Sequence, residues 1–223
     1  MDHHYYPAFI DLRGKQCIVV GGGKVAERKV AALLRSGAKV TVISPFVTGV
    51  LADYSERKRI KHLKRKYRKS DLENAFIVIA ATSDGRVNRE VSLDAPCLSN
   101  VVDAPELANF IVPSVIKRGP LALAVSTSGC SPALAKNIRK ELELIYSKEF
   151  GIFADFLGKQ RNKALIDIAD DGIRERLMKQ IAAPDMLGTL RKEGLEKTKE
   201  AVITILKESK QYAGGSKKVG SKK

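Results

Sequence analysis

Three consecutive glycines, Gly21, Gly22 and Gly23, follow the short apolar run Cys17-Ile18-Val19-Val20 and precede a stretch of helical periodicity. The spacing Gly21-x-Gly23-x-x-Ala26 is that of a dinucleotide-binding loop. The first glycine permits a tight turn, and the next lets backbone approach a pyrophosphate. Ala26 is small enough for the helix to pack closely on the strand. The helix start offers free N–H groups and a positive dipole end to phosphates. A plain strand-to-helix turn can share this spacing, but the correct element on each side favours dinucleotide binding. An NAD site usually carries Asp or Glu about 20 residues further on, for the ribose 2′-hydroxyl. That position holds Ser44, followed by Pro45 and Phe46, and no Arg adjoins it for a 2′-phosphate. By chemistry alone NAD and NADP both stay open.

Asp103 closes the run Asn100-Val101-Val102-Asp103, just past the end of another apolar segment. Ligands and reacting groups gather at the carboxyl ends of strands in open α/β sheets. Asp is equally at home there as a turn or capping residue. Thr82, past the end of the apolar run 76–81, faces the same choice. Ser126, Thr127 and Ser128 open a hydroxyl-rich loop that runs through Cys130 into Ser131-Pro132, the start of a helix. Such a loop suits substrate carboxylates, although capping by Ser131 accounts for part of it. His3, His4 and His62 show no metal-ligand spacing, and no metal site is expected. Cys17, Cys97 and Cys130 are odd in number and widely spaced, which fits reduced thiols rather than a disulfide framework.

These groups need elements to position them. Strands are expected at 17–20, 39–43, 60–63, 76–81 and 97–102, with helices from Val25 to about Gly37 and over 84–93. Strands alternating with helices imply a parallel sheet with right-handed crossovers. Beyond Asp103 the runs 110–116 and 121–125, separated by Lys117-Arg118-Gly119-Pro120, read as a hairpin. Leu134, Ile138, Leu142 and Ile145 form an apolar stripe on the following helix. From Gly151 to about Ser209 the pattern is helical, interrupted near Asp170-Asp171-Gly172 and at Pro184. With 44% apolar and 29% charged residues in 223, the chain reads as globular. No apolar run reaches the roughly 20 residues of a membrane span. The N-terminus lacks a signal-peptide pattern, and with reduced cysteines this points to the cytoplasm. The formal charge of +15 favours anionic partners without choosing among them. The basic stretch 57–69 is accompanied by no nucleic-acid-binding module and reads as a solvated edge.

Several motifs together resemble the siroheme synthase dehydrogenase family. They are G-G-G-K-V-A-E-R-K at 21–29, A-A-T-S-D at 80–84, N-V-V-D-A-P at 100–105, F-I-V-P-S at 110–114, and the S-T-S-G-C-S-P loop with Arg139 beyond it. The match runs from about Tyr6 to Tyr146 and is only loose beyond Gly151. The resemblance implies an α/β fold. A Rossmann-type NAD-binding domain (1–112) would be followed by a dimerisation region (113–148), a small helical domain (149–212) and a basic disordered tail (213–223). It implies oxidation of precorrin-2, a polycarboxylate tetrapyrrole, to sirohydrochlorin by a homodimer, with NAD as hydride acceptor. Gly21, Gly22, Gly23, Lys24, Val25, Ser44, Pro45, Phe46 and Thr82 would lie near the cofactor. Asn100 and the 126–128 hydroxyls would meet substrate, and Asp103 would be the catalytic base. Some members also insert iron, so a bifunctional dehydrogenase and ferrochelatase is an alternative. Large fused members methylate as well, which 223 residues are too few to accommodate. An NAD-sensing regulator without catalysis is the alternative of another class; it would need the glycine loop but neither Asp103 nor the hydroxyl loop.

Overall fold

The strands β1 (Gln16–Val20), β2 (Lys39–Ile43), β3 (Lys61–Leu63), β4 (Ile77–Ala80) and β5 (Leu98–Val101) form one parallel sheet in the order β3-β2-β1-β4-β5. The computed structural model describes residues 5–102 and 104–215. Asp103, His3, His4 and residues 216–223 lie outside the described residues. β4 is apolar throughout, and β1 and β2 are apolar apart from Gln16, Lys39 and Thr41, because both faces of the sheet are covered. Cys17 and Val19 join Val40, Val42, Ile77 and Ile79 on one face, under Ala26, Val30 and Leu33 of α1 (Lys24–Arg35) and Leu51 of α2 (Gly49–Glu56). Ile18 and Val20 point the other way, with Ile43, Val78 and Ala80, and pack with Leu72 and with Val91 of α3 (Gly85–Asp94). The period of two in each strand therefore builds two cores from one sheet.

The chain divides into two compact units, Met1–Val112 with Ser128–Cys130, and Pro113–Thr127 with Ser131–Lys223. In the second unit β6 (Ser114–Arg118) and β7 (Leu121–Val125) pair antiparallel. The hairpin begins later than the apolar pattern suggests. The Phe110 carbonyl accepts from the Asn100 side chain at 3.0 Å, and the Phe110 ring packs against the first core, so this stretch is not free to join a ladder. Lys117 and Arg118, expected in the turn, belong to β6. Helix α4 (Pro132–Ile145) starts as expected, with Ser131 capping through the Leu134 N–H. Helices α5 (Lys148–Asp167), α6 (Asp171–Ile181), α7 (Pro184–Glu193) and α8 (Leu195–Gly215) bury Phe150, Phe153, Leu177, Ile181, Leu190 and Val202 together. Gly151 lets α5 approach β6, because a Cβ there would stand 2.3 Å from the Arg118 carbonyl oxygen. Helix α8 runs to Gly215, three residues into the segment expected to be tail.

Candidate functional site

The chain moves outward from β1 to β2 to β3 and then returns to the other side of β1 with β4. The carboxyl ends of β1 and β4 thus diverge at a topological switch point, where such sheets hold their ligands. A cleft of about 700 Å³ lies there. Gly21, Gly22, Gly23, Ser44, Pro45, Phe46 and Thr82, residues singled out in the sequence, all line it.

The three glycines do different work. Gly21 has φ +124°, and a Cβ on it would lie 2.3 Å from the Ala81 carbonyl oxygen. A Cβ on Gly22 would lie 2.0 Å from the Phe46 carbonyl oxygen. Both are required by the close approach of the loops after β2 and β4. Gly23 is different: a Cβ there would meet nothing within 4 Å. It is also the N-cap of α1, and no side chain caps that helix. The N-termini of α2, α3, α4, α5 and α6 each receive a side-chain cap. The first-turn N–H groups of α1 beside an open glycine cradle fit a pyrophosphate in both shape and charge.

The opposite wall is tightly organised. The Thr82 hydroxyl donates to Asn88 Oδ1 at 2.8 Å, and the buried Asn88 amide donates back to the Thr82 carbonyl at 3.1 Å. Asp84 caps α3 through the Arg86 N–H, and its contacts with Arg86 hold its carboxyl below the usual range. Ser44 donates its hydroxyl to the Phe46 carbonyl at 2.6 Å, and the Phe46 ring is 83% exposed at the cleft.

Other expected residues stand elsewhere. Lys24 pairs with Glu27 at 3.2 Å, and Val25 packs against the first core, so neither side chain lines the cleft. Asn100 is buried at the end of β5 and holds the Phe110 segment through the hydrogen bond described above. Ser128, with φ +52°, belongs to the first unit, whereas Ser126 and Thr127 belong to the second. Thr127 Oγ1 accepts from the Ser131 N–H at 3.0 Å. The catalytic candidate Asp103 lies outside the described residues. Lys66, Tyr67 and Glu90 also line the cleft and were not anticipated. Lys66 falls in the basic stretch 57–69 read as a solvated edge; the parallel pairing of β2 with β3 brings it to the glycines instead.

Residues 8–114 match the family described as putative NAD(P)-binding, and residues 118–143 match the one described as sirohaem biosynthesis protein central. The siroheme synthase of Methylobacillus flagellatus is 45% identical over 158 residues, covering 70% of this chain and 34% of that protein. That of Chromobacterium violaceum is 34% identical over 220 residues, covering 97% and 46%. The chain is thus similar to siroheme synthases across both matched segments. It spans less than half the length of these relatives. Among solved structures, SirC, precorrin-2 dehydrogenase, is similar with a TM-score of 0.77 and 27% identity, covering 90% of this chain and 100% of that one.

Proposed function

We propose that the chain oxidises precorrin-2 to sirohydrochlorin with NAD as hydride acceptor. The observation that carries this is the uncapped glycine cradle at the switch point of the sheet. It occurs in a chain that resembles a precorrin-2 dehydrogenase over 90% of its length. When bound, the nicotinamide supplies a two-electron acceptor. Gly21, Gly22 and Gly23 with the α1 N-terminus hold the pyrophosphate, and the Ser44–Phe46 loop with Thr82 flanks the rest of the dinucleotide. The substrate gives up a hydride from a reduced bridge carbon and a proton from the ring system, losing two hydrogens in all. Asp103 takes that proton as general base. Asn100 acts through the loop it organises, and the 126–128 hydroxyls receive substrate carboxylates. The net charge of +15 steers a substrate fringed with acetate and propionate groups.

The protein works as a homodimer in the cytoplasm. Leu134 and Ile145, at the two ends of the α4 stripe, are 52% and 47% exposed. A second copy would cover this face, which lies mostly within the segment matching the sirohaem central family.

The test is anaerobic incubation with precorrin-2 and NAD. Equimolar appearance of NADH and sirohydrochlorin is expected. NAD binding with no turnover contradicts the proposal and leaves a non-catalytic NAD-sensing role.

A further inference from the structure

Helices α5 and α6 leave a groove of about 550 Å³ between them, wholly within the second unit. Leu157, Ala164 and Leu165 line it from α5, and Met178 and Ile181 from α6. Small-molecule sites have this size and make-up, an apolar lining with a few polar groups that fix orientation. The charged groups of the groove are nearly all committed. Arg174 pairs with Asp171 and donates to the Ile168 and Ala169 carbonyls at the end of α5. Glu175 pairs with Lys179 at 2.7 Å. Arg161 also lines the groove, is exposed, and has no partner among the described residues. The groove therefore sets one free guanidinium beside an apolar floor. Asp171 and Glu175 would repel a ligand that carried several negative charges.

Gly158 is an independent sign of a ligand. It lies in the interior of α5, where glycine costs about 1 kcal/mol relative to alanine. A Cβ there would meet nothing within 4 Å, so packing does not demand the glycine. Gly151 of the same helix is the contrast, since the Arg118 carbonyl oxygen leaves no room for a Cβ. Gly158 lines the groove three residues before Arg161, on the same face of the helix. The missing side chain keeps the groove open beside the guanidinium. We infer that this groove binds a small molecule with an apolar body and a single carboxylate, of the fatty-acid class. The apolar tail is buried on the floor, and the planar fork of Arg161 receives the two carboxylate oxygens.

Calorimetric titration of the full chain with decanoate, kept below its micelle-forming concentration, tests this. Decyltrimethylammonium is the control, with the same tail and the opposite charge. Decanoate is expected to bind saturably, and the control at least about tenfold more weakly. Arg161→Gln should weaken decanoate binding by about tenfold. Gly158→Leu places a better helix former in the groove, so it should abolish decanoate binding while the thermal midpoint holds or rises. Absence of saturable decanoate binding, equal binding of the two probes, or an affinity unmoved by both variants overturns the inference. So does loss of self-association in Gly158→Leu by sedimentation, which would make the groove an interface between copies.

Discussion

At the scale of single residues, the three glycines separate folding from binding. Gly21→Ala places a Cβ 2.3 Å from a carbonyl oxygen at a left-handed φ, so it is expected to cost at least about 2 kcal/mol of stability and to abolish dinucleotide binding. Gly23→Ala meets no neighbour and should leave the thermal midpoint nearly unchanged while weakening NAD binding about tenfold or more. Thermal melts paired with calorimetry would show the split, and equal loss of both properties in both variants would contradict it. Asp71 gives a pH-dependent counterpart. The Arg65 guanidinium and the Arg68 N–H hold its carboxyl below the ordinary value of 3.8. A lowered folded pKa stabilises above the unfolded value, and that stability is lost as pH falls through the folded one. Asp71→Asn should therefore destabilise by about 1 kcal/mol at neutral pH and by progressively less in acid. Denaturant melts across that range check it. The cysteines differ as well: burial, with a smaller contribution from Cys97, pushes the Cys17 thiol up to about 11, whereas Cys130 is exposed. In the native protein a thiol reagent should label Cys130 and spare Cys17. The glycine loop was legible in the sequence because its chemistry is local, whereas Ser44–Phe46 were placed by the family resemblance, their local chemistry offering no ribose carboxylate. Lys66 and Glu90 were not, since they reach the cleft only through strand pairing and helix packing.

At the scale of elements, the helix starts divide into two kinds. Those with side-chain caps serve stability, and Ser131→Ala at the head of α4 should cost about 1 kcal/mol in chemical denaturation. Helices α1 and α7 have no such cap, and at α1, beside the open glycine cradle, adding one would compete with a phosphate for the same N–H groups. Strands β1, β2 and β4 were readable as β-branched apolar runs and β3 and β5 as weaker ones, with α1 and α3 as helical periods following strands. Helix α2 was missed: eight residues bury only Leu51, too little apolar repetition to register. The segment before β6 was misread because Phe110 is apolar for the core rather than for a strand, and Asn100 occupies its carbonyl. The four closing helices showed breaks at Asp170 and Pro184, both confirmed as helix starts. The break at Gly194, with φ +85°, carried no proline and passed unread.

At the scale of the whole molecule, the charge of +15 and the exposed apolar face of α4 set expectations that no single residue carries. Raising the salt from low to physiological concentration should increase KM for the tetrapyrrole while changing kcat little, because steering by exposed charges is screened within about 10 Å. Sedimentation should show a dimer that Leu134→Glu drives towards monomer, since a charge there cannot be buried without a partner. The central claim, that this chain is a dehydrogenase with Asp103 as its base, is tested most directly by comparing wild type with Asp103→Asn in anaerobic turnover of precorrin-2 with NAD, with NAD affinity measured alongside. The account predicts turnover in the wild type that falls by at least about a hundredfold in the variant while NAD affinity is retained. Undiminished turnover in the variant would contradict the role of Asp103, and no turnover by the wild type, with NAD bound, would contradict the dehydrogenase itself.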